Sequence, residues 1–152
     1  MSHLIGEFDC KLDAKGRLMV PSGLKKQLPS AEAEGLVVNR GFEKHLVVYS
    51  KSEWDKITAE LAQLNPYEKK NREFVRYFTR GASILSLDGN GRVLLPKALL
   101  EYAGISAEVV LSCQFNKIEI WAKEAYDAAL DDEPENFANL AEEVMGERRS
   151  DV

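Results

Sequence analysis

At 152 residues the chain has room for one ordinary domain, or for two small halves that share one core. Its apolar content of 45% is that of a globular protein, and no apolar run approaches the ~20 residues of a membrane span. The net charge of −5 is uneven: residues 124–152 carry −8 and residues 1–123 carry +3, which fits either nucleic-acid contact with an acidic appendage or simply a solvated acidic helix at the end.

Met1-Ser2-His3 is followed at once by a strand-like run with charges, which reads as no signal peptide. Residues 4–12 alternate loosely and predict a strand. Asp13-Ala14-Lys15-Gly16 is a turn, with Gly16 able to take φ > 0, and 17–20 a second short strand. Pro21 has no N–H to give a ladder and suits a helix start, so a short helix follows over 22–28, ended by Pro29-Ser30. Strands are predicted at 36–39 and 45–49 around Gly41. Ser52 with Asp55 reads as a helix cap, and Trp54, Ile57, Leu61 and Leu64 fall on one helical face. Asn65-Pro66 stops that helix and starts the next, with Asn65 as its N-cap and Phe74 and Phe78 turned to the core.

The second half repeats the pattern. A strand over 83–87, the turn Asp88-Gly89-Asn90-Gly91 and a strand over 92–95 lead to Pro96. A short helix to Ala103 is closed by Gly104 at C′. Residues 109–113 and 117–121 form a hairpin, and a helix starts near Lys123. Pro134 separates it from a last acidic helical stretch over 135–146.

The same sentence is written twice. Residues 12–28 read LDAKGRLMVPSGLKKQL and residues 87–103 read LDGNGRVLLPKALLEYA, and six of the 17 aligned pairs are identical at an offset of 75. The match resumes at Phe42/Phe115 with an offset of 73 and at Tyr49/Trp121 with an offset of 72, so the loops differ slightly in length. About 40 residues of short strands cannot bury enough surface to stand alone. The expectation is therefore one α+β domain over 1–130. Two β-hairpin/short-helix repeats, 4–64 and 81–130, joined by a helix at 65–80, interlock with pseudo-two-fold symmetry. They form one barrel-like core with peripheral helices, and 131–152 is an acidic tail.

The repeated core holds nothing catalytic. Asp13 and Asp88 read as turn carboxylates that accept backbone N–H groups and pair with Arg17 and Arg92. An arginine so held presents its fork to phosphate or to guanine O6/N7. The copies are not equivalent: residues 9–28 carry +3, with Lys11, Lys15, Arg17, Lys25 and Lys26, whereas 84–103 are neutral. The first copy is the better candidate for DNA contact. Residues 66–80 add Lys69, Lys70, Arg72, Arg76 and Arg80, read as a solvated face or a subunit contact. His3 and His45 have no ligand or catalytic partner at useful spacing. Cys10 and Cys113 lack metal-type spacing and read as reduced, buried cytosolic thiols. Asp88-Gly89-Asn90-Gly91 begins like a calcium loop, but position 12 is Leu99 rather than Glu. The expectation is a non-enzyme without metal or cofactor.

The stretch LDAKGRLMVP, with the later GNGRVLLP, AGI and FNKIEIW, resembles the MraZ family, bacterial regulators at the head of division and cell-wall gene clusters. The resemblance runs over nearly the whole of 4–127. It implies a doubled AbrB-like swapped-hairpin fold in one chain, assembled as a homo-oligomeric ring. It further implies binding of double-stranded DNA at tandem short G-rich repeats in the promoter of its own operon, with repression. The family's DNA-reading arginine falls on Arg17, with Asp13, Lys15 and Gly16 shaping its loop. The candidate contact set is thus Lys11, Asp13, Lys15, Gly16 and Arg17, and more weakly Asp88, Gly91 and Arg92. The implied partners are DNA and the protein itself, with no membrane and no small-molecule substrate, in the cytoplasm and on the nucleoid. Leu100 and Cys113 depart from the family pattern, where many relatives carry arginine and glycine. Two other readings stay open: an antitoxin-like regulator that binds its toxin through the acidic tail, and a ring-forming scaffold that binds no DNA.

Overall fold

The computed structural model describes residues 3–131 and 135–150, the last four by backbone alone. The first half supplies β1 (Glu7–Lys11), β2 (Arg17–Met19), α1 (Ser22–Lys25), α2 (Ala31–Glu34), β3 (Leu36–Arg40), β4 (Leu46–Ser50) and α3 (Lys51–Ala62). After α4 (Lys69–Thr79) come β5 (Ser83–Leu85), β6 (Arg92–Leu94), α5 (Lys97–Tyr102), β7 (Glu108–Gln114), β8 (Lys117–Ala122), α6 (Lys123–Asp131) and α7 (Phe137–Ser150).

The strands form an antiparallel six-stranded sheet in the order β1-β7-β8-β4-β3-β5 and a separate two-stranded ribbon, β2-β6. Exchanging each strand for its repeat equivalent (β1 for β5, β3 for β7, β4 for β8) reverses this order and leaves it otherwise unchanged, which is pseudo-two-fold symmetry written in hydrogen bonds. The first strand of each half crosses over: β1 pairs with β7, Phe8 opposite Leu111, and β5 pairs with β3, Leu85 opposite Leu36. In the ribbon, Leu18 lies opposite Val93.

The expected barrel is not closed. Among the described residues no ladder joins the ribbon to the sheet, and β1 and β5 remain edges. Each ribbon strand ends at a proline, Pro21 or Pro96, two residues after its last paired position, and proline has no N–H with which to extend a ladder.

One core serves both halves. Leu18, Val20, Val93 and Leu95 from the ribbon segments and Leu24 and Leu99 from α1 and α5 pack onto Leu36, Val38, Leu46, Val48, Val109, Leu111, Ile118 and Ile120 of the sheet. Repeat-equivalent positions such as Leu18/Val93 and Leu24/Leu99 are buried alike. The void left at the centre is ≈ 20 Å³ and is lined by leucine, valine and isoleucine side chains alone, which offer a water no hydrogen-bond partner. On the flanks, α3 contacts β3 and β4 while α6 contacts β7 and β8, again as symmetry mates.

Several elements differ from expectation. The helix at 22–28 is only one turn, and a second short helix, α2, follows the Pro29 break; it accounts for the two residues by which the first half exceeds the second there. Helix α3 is capped by Ser50, whose Oγ accepts the Glu53 N–H at 3.3 Å, rather than by Ser52. Asn65 caps a turn, accepting the Tyr67 N–H at 3.0 Å, and α4 begins only at Lys69. Helix α4 buries no residue: Phe74 is exposed, and Phe78 stacks on Trp54 at 6.0 Å instead of entering the core. The expected Pro134 break lies outside the described residues.

Buried His45 stacks on Trp121 at 4.4 Å, with Nε2 3.5 Å from a Glu119 carboxylate oxygen. It is part of the packing of β8. Both cysteines are free and half-buried, less buried than their strand pattern suggested, and desolvation raises both thiol pKa values.

Candidate nucleic-acid interface

The two Asp-x-x-Gly-Arg segments fold into copies of one turn. The Asp13 Oδ1 accepts the backbone N–H of Lys15 and of Arg17, both at 2.9 Å. Gly16, at φ +83°, donates to the Asp13 carbonyl at 3.0 Å, and the Asp13 N–H returns to the Arg17 carbonyl at 3.0 Å. In the second copy Asp88 Oδ1 takes the N–H of Asn90 and Arg92 at 2.9 Å, and Gly91 sits at φ +76°. The sequence alone gives this geometry: an Asx-type turn needs the short carboxylate at its start and a residue free to adopt positive φ before the strand resumes.

Each carboxylate then seizes its arginine. Asp13 Oδ2 holds Arg17 Nε at 2.6 Å, and Asp88 Oδ2 holds Arg92 Nε at 2.9 Å. The backbone N–H of Arg17 is the main cause that lowers the Asp13 pKa, helped by its guanidinium and the Lys15 N–H; Arg92 and Asn90 do the same for Asp88. Both aspartates are therefore ionised at neutral pH. Because Nε is the atom engaged, the outer Nη edge of the fork stays available.

The ribbon sets the two turns side by side. The Val20 N–H donates to the Gly91 carbonyl and the Leu95 N–H to the Gly16 carbonyl, both at 3.1 Å. The result is not fully symmetric. Arg92 Nη1 leans to within 4.0 Å of Asp13 Oδ2, whereas the Nη groups of Arg17 have no partner among the described residues. Arg17 is the freer fork.

Of the predicted residues, the structure brings together Asp13, Lys15, Gly16, Arg17, Asp88, Gly91 and Arg92. The Lys15 side chain is exposed at the rim of the first turn. Lys11 stands apart on β1, in register with Glu108 of β7. Charge counted along the chain is not charge in space. Lys25 belongs to the first copy by sequence, yet its Nζ lies beside the second turn, 3.4 Å from where a Cβ on Gly91 would be, while it pairs with Glu32 Oε1 at 3.2 Å. Its repeat equivalent, Leu100, packs over Gly16 with Cδ1 3.3 Å from the corresponding point. The signal that could have shown this is the offset of 75 itself: interlocked repeats place each helix on the other repeat's turn.

The FNKIEIW block is structural. Asn116 donates to a Glu53 carboxylate oxygen at 2.8 Å, tying the β7–β8 turn to the first turn of α3, and Ile118 and Ile120 enter the core. Phe115 holds φ +56° in that turn. Among the described residues no group of three or more His, Cys, Asp and Glu could hold a metal, and no helix is long and apolar enough to cross a membrane.

Comparison with known proteins agrees with this doubled architecture. The family model described as "MraZ protein, putative antitoxin-like" matches twice, over residues 4–77 and 78–148, so the second match takes in most of the acidic tail. The transcriptional regulator MraZ of Christiangramia forsetii is 48% identical over 147 residues, covering 96% of this chain and 95% of that protein. Those of Flavobacterium psychrophilum and Cytophaga hutchinsonii are 45% and 38% identical, covering 99% and 95% of this chain and 97% and 96% of their own lengths. The chain belongs to the MraZ family.

Proposed function

We propose that this protein is a sequence-specific DNA-binding transcriptional regulator that represses its own operon within a division and cell-wall gene cluster. The observation that carries the reading is the state of Arg17: Nε clamped by Asp13 at 2.6 Å, Nη edge without a partner among the described residues, at the rim of a rigid turn. A fork fixed in this way reaches guanine O6 and N7 without losing the rotamer freedom of a loose arginine. Lys15 beside it supplies phosphate attraction. The names of the relatives, transcriptional regulators of nearly equal length, support the same reading.

One fork discriminates a base by only ~1–3 kcal/mol. Several copies of the chain in a ring, each placing its turn on one of a series of short G-rich repeats, multiply this through effective concentration. The crossing of β1 and β5 between halves supports the doubled swapped-hairpin fold and a single domain over 1–130. The protein then acts on the nucleoid in the cytoplasm.

The test is a gel shift with DNA from upstream of its own gene, against excess unrelated competitor, with wild type beside Arg17→Ala. Wild type gives a specific shift that weakens steeply with salt, and Arg17→Ala keeps its fold and oligomeric mass but loses the specific shift. A folded, oligomeric wild type with no specific shift overturns the reading.

A second reading has one observation in its favour. Phe137, Leu140, Val144 and Met145 of α7 are all exposed, and the family description is antitoxin-like. Capture of a protein partner that depends on residues 131–152, with no DNA shift, would support it.

A further inference from the structure

The outward face of the β2-β6 ribbon carries an unexplained pair. Along β2 and β6 side chains alternate: Leu18 and Val93 point inward and are 3% exposed, while Arg17, Met19, Arg92 and Leu94 point outward. Met19 is 52% and Leu94 58% exposed. They occupy the same position in the two repeats, and the register sets Leu94 opposite Arg17 and Met19 opposite Arg92. The face is a two-by-two checkerboard of arginines and apolar side chains.

We propose that Met19 and Leu94 are specificity-determining residues that cover the 5-methyl groups of thymines in the major groove; this rests on the DNA-binding reading above. The major groove admits a two-stranded ribbon, and the thymine methyl is the apolar feature that distinguishes A·T from the other pairs there. Residues two apart on a strand are about 6.8 Å apart and cross-strand neighbours about 5 Å, against ~3.4 Å between stacked bases. A ribbon docked with Arg17 on guanine therefore holds Leu94, and Met19 in the same way beside Arg92, over a base one or two steps away. Asp13 and Asp88 offset Arg17 and Arg92, and what remains around the pair is the exposed Lys15 and the outward Nη edge of Arg17, donors and positive charge that favour a polyanion as the occupant. The flexible thioether of Met19 suits a contact whose position is set by the arginines.

The test removes the methyl from the DNA instead of the side chain from the protein. The same upstream fragment is made with thymine or with uracil throughout, and affinities are measured for wild type, Met19→Ser, Leu94→Ser and the double variant. Wild type binds the uracil fragment more weakly, by about fourfold for each methyl covered. The double variant binds the thymine fragment more weakly than wild type and no longer distinguishes the two. Equal wild-type affinity for both fragments overturns the proposal. So does a uracil penalty that persists undiminished in the double variant, because the penalty then comes from altered groove shape. A double variant whose oligomeric mass changes while thymine discrimination stays assigns the pair to contact between copies and also overturns it. Specific binding of wild type to the thymine fragment, lost in Arg17→Ala, is the separating control: without it the DNA-binding reading itself fails, and this inference with it.

Discussion

Asp13 and Asp88 each do two things at once: they close a turn through backbone N–H groups and fix an arginine through Nε. Both pKa values are lowered on folding, mainly by the N–H of Arg17 and of Arg92. A carboxylate with a depressed folded pKa stabilises the fold above its unfolded value, about 3.9, and the contribution disappears as pH falls through the lower folded value. Replacing both by asparagine removes that contribution. The wild type's advantage in urea midpoint over Asp13→Asn/Asp88→Asn is accordingly constant between about pH 7 and pH 5 and shrinks below about pH 4. An advantage that grows on acidification would show that the carboxylates are not ionised partners. This much of the site was legible, because Asp-x-x-Gly-Arg specifies a local turn whose contacts span four residues. The place of Lys25 against Gly91 was not, because those residues are 66 apart in the chain and meet only through the exchange of strands.

At the scale of elements, the start of α3 shows how local signals compete. Ser50 and Ser52 are each followed three residues later by an acid, Glu53 and Asp55, so both fit a capping pattern. The structure chooses Ser50 because β4 ends there and its extended φ and ψ are those of a cap, which leaves Asp55 to pair with Lys51 at 2.6 Å. Ser50→Ala is therefore expected to cost about 1 kcal/mol in chemical denaturation. Ser52→Ala stays within ~0.5 kcal/mol, as an ordinary surface change does. The reverse order would return the cap to Ser52. Helix α4 differs from its expected burial for a related reason. Its apolar residues have helical spacing, which foretold a helix correctly, but periodicity does not name what the apolar face meets. Here the face lies outside the core, where Phe78 packs against Phe42 and stacks on Trp54.

The whole molecule is more interdependent than two tandem copies would be. The repeat and its twofold character were legible as soon as the segments were aligned, since six identities in 17 positions include the turn glycine, the arginine and the proline. Which strand pairs with which was not, because short strands of similar composition can satisfy a partner in either half. The observed exchange of β1 and β5, with a ribbon built from one strand of each half, leaves neither half with a complete sheet. Unfolding should therefore be a single event. The chain holds a reporter for each half: Trp54 on α3, 5.8 Å from the Tyr49 ring, and Trp121 on β8, stacked on His45. Fluorescence of Trp54→Phe follows the second half and that of Trp121→Phe the first. In a background corrected for the small cost of each change, the two denaturation curves have the same midpoint and slope. Adding Leu18→Ala, a ribbon position 3% exposed, costs about 2–5 kcal/mol and moves both curves equally, although Leu18 belongs to the first half by sequence. Two separated transitions, or a shift confined to the first half, would mean that each repeat closes its own core, which the crossing strands forbid.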